Sequence, residues 1–104
     1  MNYYIEDDKL VFKLEGKLIM SNSDNTKNKI KHDIDEVLKE DKLEYVIFDL
    51  QDLEFIDSTG VGVFISIFKF VKERDLDLKL LQPQDIVRKV LTITKIDNIM
   101  AIEY

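Results

Sequence analysis

The chain has 104 residues, the usual size of one compact domain with a single core. Its net charge of −6 disfavours binding to the phosphates of nucleic acids and to anionic membrane surfaces. It has no cysteine, which excludes disulfides and thiolate metal sites, and residues 1–8 lack the basic and apolar parts of a signal peptide. We therefore expect one soluble, cytoplasmic domain over residues 1–104 that binds neither nucleic acid nor membrane.

The first half of the sequence predicts a hairpin, a helix and a buried strand. Residues 3–5 and 9–15 are predicted strands joined by the acidic turn 6–8, with Gly16 ending the second strand. Residues 21–25 are predicted to be a polar loop with several possible helix N-caps, and a first helix follows to about Glu40. The helix is indicated by Ile30, Ile34, Val37 and Leu38, which recur at helical spacing.

The middle and second half of the sequence continue the alternation of strands and helices. Residues 45–50 are an unbroken apolar run, the pattern of a central strand buried on both faces. The elements predicted after it are a loop at 51–57, a helix from about Thr59 to Arg74 and a strand at 78–81. A third helix follows, with Pro83 at its first position, and its apolar face consists of Ile86, Val87, Val90 and Leu91. The last predicted element is a strand at 101–103. Such alternation requires crossover connections. The predicted fold is therefore α/β, with a mixed sheet of four to five strands covered by helices in the order β-β-α-β-α-β-α-β.

The most informative segment is Asp57–Ser58–Thr59–Gly60–Val61–Gly62, which places a serine hydroxyl immediately before the second helix. A serine there commonly caps the helix, and capping alone is the ordinary explanation. The glycines argue for more, because each destabilises the first turn by about 0.5–1 kcal/mol relative to alanine. They also leave the surface beside Ser58 bare enough for another protein to approach.

The apolar arc of the second helix is wider than a helix with one buried face needs. Its sheet-facing residues are Val63, Phe64, Ile67, Phe68, Phe70 and Val71. Val61 and Ile65 fall beyond the edge of that arc, on the side shared with Lys69 and Lys72. They either border the core or a neighbouring helix, or they belong to a partner-binding surface.

The segment and the order of elements resemble the STAS domains of bacterial anti-sigma-factor antagonists. In that family an apolar strand ending in Asp-Leu, here Asp49–Leu50, is followed by an Asp-Ser-(Ser/Thr)-Gly-x-Gly loop, here residues 57–62. The similarity continues through residues 91–97, which look like the third helix of the family and its exit. The resemblance implies that Ser58 is the phosphorylation site. The partner-binding residues are then Asp57, Thr59, Gly60, Val61, Gly62 and Ile65.

The same resemblance implies transcription regulation by partner switching. The unphosphorylated form would bind an anti-sigma factor serine kinase and release a sigma factor. Phosphorylation of Ser58 would switch this binding off, and a PP2C-type phosphatase would restore it. A STAS domain can also serve as a stressosome-like scaffold or as the soluble subunit of a lipid-transport complex, and the sequence leaves that alternative open.

Three positions depart from the family pattern. Ile19 stands where the family often has an aspartate. The turn after the second helix, residues 74–77, lacks the usual glycine, so Asp75 would have to take any left-handed conformation. The sequence stops at Tyr104, before the C-terminal helix that many relatives have.

An enzyme is the rival class of protein. A serine hydrolase needs a base, and the one histidine, His32, is predicted on the polar side of the first helix among Lys31, Asp33 and Asp35. His32 and Glu36 could hold a stray metal ion, but no third ligand converges with them. The sequence contains neither a phosphate-loop nor a dinucleotide fingerprint. We predict no catalytic residue, no metal and no cofactor.

Overall fold

The computed structural model describes residues 2–104 as a five-stranded sheet with three α-helices. In chain order the elements are β1 (Tyr3–Glu6), β2 (Lys9–Leu18), α1 (Met20–Leu38), β3 (Tyr45–Ile56), α2 (Ser58–Lys72), β4 (Asp77–Leu81), α3 (Asp85–Ile93), a 3₁₀ turn (Ile96–Asn98) and β5 (Ala101–Glu103). The predicted order of strands and helices is confirmed. The predicted hairpin is confirmed as well, with β1 antiparallel to β2.

The strands follow one another across the sheet in chain order, β1-β2-β3-β4-β5. From β2 onward all neighbours are parallel. Connections between parallel strands are right-handed, and each new strand is added on the same side of the last. The three helices therefore lie on one face of the sheet, and their N-termini lie at the carboxyl ends of the strands.

The core lies between this face and the helices. Aromatic rings connect its layers, because Phe48 of β3 lies 6.0 Å from the ring of Phe12 on β2 and 5.3 Å from the ring of Phe64 on α2. All three rings are fully buried. A single cluster of buried side chains extends from them to Ile34 of α1 and Leu91 of α3.

The prediction that Gly16 ends the second strand is wrong. β2 continues to Leu18, and its register against β3 shifts on both sides of Gly16. Gly16 has φ of +71°, a conformation that glycine adopts without steric cost. At both shifts the extra residue is on β3, since Lys13 to Glu15 lies opposite Asp49 to Asp52, and Gly16 to Lys17 lies opposite Leu53 to Phe55. The bulges therefore belong to β3, and Gly16 lies opposite them in a strand that continues.

Two predicted loops are regular structure. Residues 21–25 belong to α1, which begins at Met20 because Asn22 accepts a hydrogen bond from the Ile19 N–H at 2.9 Å and so satisfies a donor at the helix start. Most of the predicted loop 51–57 extends β3, which pairs with β2 as far as Ile56 although its pairing with β4 stops at Asp49. The apolar run in the sequence ends near Asp49, where β3 loses its second neighbour, but the strand itself continues to Ile56.

Turn geometry was predicted correctly at one position and wrongly at another. Asp75 does take the left-handed conformation, with φ of +60°, in the turn that lacks glycine. Pro83 is not the first residue of α3, which begins at Asp85, so the proline precedes the N-cap Gln84. The side chain of Gln84 donates to the carbonyl oxygen of Gln51 at 2.6 Å and fixes the start of α3 against β3.

Across residues 2–104, no helix is both long enough and apolar enough to cross a bilayer.

Candidate functional site

The junction between β3 and α2 places Ser58 at the surface. β3 ends at Ile56, Asp57 has extended backbone, and Ser58 is the first residue of α2. The Ser58 side chain is exposed, whereas Ile56 immediately before the turn is fully buried. A fixed turn thus holds an accessible hydroxyl at the carboxyl end of the sheet.

Asp57 holds this turn in place through both oxygens of its carboxylate. One oxygen accepts a hydrogen bond from the Gly60 N–H at 2.9 Å, which makes Asp57 the N-cap of α2. The other accepts from the N–H of Met20, the first residue of α1, at 3.0 Å. The N–H of Asp57 donates to the carbonyl oxygen of Leu18 at 3.2 Å. Asp57 therefore connects the starts of two helices.

The capping role that serine commonly has at such a position belongs to Asp57. Within residues 2–104, the Ser58 hydroxyl makes no side-chain hydrogen bond, and it lies in the first turn of α2. The expectation that Ser58 itself caps the helix is wrong. Capping consequently does not explain why a serine occupies this position.

The two glycines of the turn have different structural roles. A Cβ atom on Gly60 would lie 2.4 Å from the carbonyl oxygen of Leu18 and 2.6 Å from Cγ1 of Ile56, so β2 and β3 leave no room for a side chain. A Cβ atom on Gly62 would meet nothing within 4 Å, and Gly62 is exposed. Gly60 allows α2 to pack against the sheet, whereas Gly62 leaves bare backbone at the surface.

The remaining residues assigned to partner binding differ in exposure. Thr59 and Ile65 are half-buried, and Ile65 packs against the core. Val61 is only 4% exposed and belongs to the core. The expectation that Val61 lies on the contact face is wrong, because α2 is flanked by α1 as well as by the sheet and buries a wider arc than one covered face requires.

Replacing Asp57 by alanine is expected to lower the free energy of unfolding by about 0.5–2 kcal/mol, the usual cost of losing an N-cap. The loss should lie toward the upper end of that range because the acceptor for Met20 is removed too. Asp52→Ala is the matched control, since Asp52 is an exposed carboxylate on β3, the strand that leads to Asp57. Urea unfolding followed by circular dichroism measures both; equal stability of the two variants would contradict the role given to Asp57.

Three residues of this site were not identified from the sequence. Leu18 supplies the carbonyl oxygen that bonds Asp57, Met20 supplies the second N–H that its carboxylate accepts, and Asn22 fixes the start of α1. Two of them act through backbone atoms, which leave no pattern in residue type. Only Asn22 could have been found, as a side-chain acceptor three residues after Ile19.

The described residues hold no group of three metal-ligating side chains that could bind a metal ion together. His32 is exposed on α1, as its predicted place on the polar side of that helix requires. Ile19, at the position where the family often has an aspartate, is half-buried and directly precedes α1.

Comparison with known proteins identifies the family. The model of the STAS domain matches residues 1–104, and the chain belongs to the STAS domain family. Its relatives include the anti-sigma F factor antagonist of Paenibacillus polymyxa, 24% identical over 93 residues, which are 89% of this chain and 76% of that protein. The resemblance to anti-sigma-factor antagonists predicted from residues 49–62 is confirmed.

Other curated relatives are matched over a shorter stretch. The anti-sigma-B factor antagonist of Bacillus subtilis is 38% identical over 53 residues, which are 51% of this chain and 49% of that protein. The chain thus matches about half the length of that relative.

The fold is shared with solved structures. A Thermotoga maritima protein described as an anti-sigma factor antagonist has a TM-score of 0.82 at 28% identity, covering 99% of this chain and 85% of that one. The anti-sigma factor antagonist SpoIIAA in its unphosphorylated form has a TM-score of 0.74 at 21% identity, covering 99% and 87% of the two chains. SpoIIAA of Bacillus has also been solved in a phosphorylated form.

Proposed function

We propose that this protein is an anti-sigma factor antagonist whose unphosphorylated form binds an anti-sigma factor serine kinase in the cytoplasm and thereby releases a sigma factor. Phosphorylation of Ser58 switches the binding off, and a PP2C-type phosphatase reverses it. The protein acts by binding, without catalysis of its own. The observation that carries the proposal is an exposed Ser58 hydroxyl freed from capping by Asp57, in a family whose named relatives are anti-sigma factor antagonists.

The start of α2 tolerates the phosphate. A phosphoserine carries about −1.5 to −2 charges at neutral pH. The N–H groups of Ser58 and Thr59 have no acceptor inside the helix, since the first turn of a helix lacks them, and the helix dipole favours an anion there. The domain therefore stays folded when Ser58 is modified.

A phosphate on Ser58 destabilises the complex with the partner. The backbone around Gly62 is bare and exposed, and a partner that packs there removes water from the neighbouring Ser58. A buried dianion without a paired cation is strongly unfavourable. Asp57 adds a negative charge beside it, and its carboxylate already accepts two hydrogen bonds. We place the partner contact on Ser58, Thr59, Gly62 and the exposed edge of Ile65, supported from below by Gly60 and Val61.

The experiment is incubation with the cognate anti-sigma factor kinase and ATP, followed by phosphopeptide mapping by mass spectrometry. One phosphate should appear on Ser58, and the Ser58→Ala variant should incorporate none. Thr59 is the internal control, because it is the adjacent hydroxyl and is less exposed. Absence of phosphate on Ser58 in a reaction that phosphorylates a known antagonist would refute the proposal.

The alternative of a STAS scaffold, either stressosome-like or in a lipid-transport complex, shares the fold but has no observation of its own in this chain. The stressosome is among the solved structures that share the fold, with a TM-score of 0.74 at 21% identity. At that identity the likeness concerns the fold alone. A scaffold would be expected to form large assemblies with the kinase absent, which size-exclusion chromatography with light scattering would detect.

A further inference from the structure

β1 forms one edge of the sheet, and three consecutive apolar side chains of this strand are exposed. Tyr3, Tyr4 and Ile5 are 41%, 45% and 42% exposed. β1 pairs with β2 on one side, and within residues 2–104 no strand lies on its other side. An exposed apolar edge strand is a template for pairing with another chain.

The hydrogen bonds between β1 and β2 determine which backbone groups point outward. Antiparallel residue pairs alternate between pairs that exchange hydrogen bonds and pairs that do not. The Lys13 N–H donates to the carbonyl oxygen of Asn2 at 3.1 Å, so Asn2 and Lys13 form a hydrogen-bonded pair. The pair Tyr4 and Val11 is then bonded too, as the register requires. The N–H and C=O groups of Tyr3 and Ile5 therefore point away from β2.

A second copy of β1 matches this pattern in one antiparallel register. When Tyr4 lies opposite the Tyr4 of the other copy, each Tyr3 lies opposite an Ile5. Both members of those two pairs have outward N–H and C=O groups, so four hydrogen bonds form. A register centred on Ile5 would place Tyr3 opposite Asp7, which has φ of +55° and lies outside β1. A register centred on Tyr3 would place Ile5 opposite residue 1.

The side chains agree with the same register. The ring of Tyr3 lies 5.7 Å from that of Phe12, so Tyr3 and Ile5 lie on the helix-covered face, and Tyr4 lies on the open face. Tyr3 and Ile5 also line a groove of about 190 Å³, which leaves room for the side chains of an added strand. The other residues that line it are Glu36, Val37, Glu40 and Asp41.

Polar groups end the paired segment on both sides. In this register Asn2 of each copy lies opposite Glu6 of the other, an amide beside a carboxylate. The two acidic turns, residues 6–8, lie at opposite ends of the pair and avoid each other.

We propose that two copies of this chain associate through antiparallel pairing of β1 with Tyr4 at the two-fold axis, which joins their sheets into one of ten strands. The surface is separate from Ser58, and the proposal does not depend on the phosphorylation switch. The edge is only four residues long, so the association is weak. A charge of −6 on each copy also opposes it, so added salt strengthens it.

The test is disulfide cross-linking of variants with one introduced cysteine. Because this chain has no cysteine, the introduced residue is the single thiol of each variant. Opposed residues of a pair that exchanges no hydrogen bonds have Cα atoms about 4.5 Å apart, within the roughly 4.4–6.8 Å that a disulfide spans. Tyr4→Cys is therefore expected to form a disulfide-linked dimer under mild oxidation. Glu6→Cys is the matched control, because its two copies would lie roughly 13 Å apart along the strands.

On non-reducing gels, Tyr4→Cys should form a species of twice the 12.3 kDa chain mass at least ten times faster than Glu6→Cys. In sedimentation velocity, the mean mass of the parent should rise with concentration. Tyr4→Lys should stay monomeric, because it opposes two like charges at the axis. Ile93→Lys, at an apolar residue of α3 that is 78% exposed, should behave as the parent. Equal cross-linking of both cysteine variants, or a parent monomeric at every concentration, would overturn the proposal.

Discussion

Replacing Gly60 by alanine is expected to lower the free energy of unfolding by about 1–3 kcal/mol, the cost of forcing a methyl group into a filled site. The new Cβ would lie 2.4 Å from the carbonyl oxygen of Leu18, far inside van der Waals contact. That oxygen is also the acceptor for the Asp57 N–H at 3.2 Å, so it cannot move without disturbing the turn that carries Ser58. Gly60→Ala should therefore also weaken partner binding, because the folded variant holds Ser58 in a displaced turn.

Gly62→Ala is the matched control for this prediction. It makes the same chemical change two residues later, where a Cβ meets nothing within 4 Å. Alanine is a better helix former than glycine by roughly 0.5–1 kcal/mol, so this variant should gain about that much stability. Thermal and urea unfolding of both variants measure the difference. If Gly60→Ala proved as stable as Gly62→Ala, the close packing of α2 against β2 would be disproved.

Ser58→Asp is expected to weaken binding of the anti-sigma factor kinase about a hundredfold, whereas Ser58→Ala should stay within a few-fold of the parent. The aspartate places a charge in an interface that the unmodified hydroxyl enters uncharged, at a cost of about 2–5 kcal/mol. Each factor of ten in affinity corresponds to about 1.4 kcal/mol. Titration calorimetry measures both variants.

Thr92→Asp supplies the control for added charge alone. Thr92 is exposed on α3, so its replacement adds one negative charge to the protein away from the proposed contact. Its affinity should match that of the parent at moderate salt, where charges more than about 10 Å away are screened. Loss of binding in Thr92→Asp as large as in Ser58→Asp would show that net charge, and not the site, controls the complex.

The sequence predicted the elements that are buried on a regular period. The apolar run 45–50 identified the central strand, and the apolar spacing of α1, α2 and α3 identified three helices. The errors occurred where non-local contacts determine the structure. The part of β3 beyond Asp49 pairs on one side only and loses the apolar pattern. β2 appeared to end at Gly16 but continues to Leu18, because β3 still pairs with it there.

The candidate site was located by its motif but not understood in detail. Asp57–Ser58 was recognised, yet the identity of the N-cap depended on backbone direction that residue type does not reveal. The burial of Val61 depended on how α2 packs against both α1 and the sheet, which a helical wheel of α2 alone cannot show. The different roles of Gly60 and Gly62 required the position of β2.

The common orientation of the three helices gives this acidic molecule an electrical asymmetry. Their peptide dipoles point the same way, so partial positive charges collect at the end of the sheet where Ser58 lies. These partial charges are opposite in sign to the net charge of −6. They attract an anion, such as a phosphate group, toward the start of α2. If Ser58 is phosphorylated as proposed, the helix dipoles favour approach of the phosphoryl donor from the carboxyl end of the sheet.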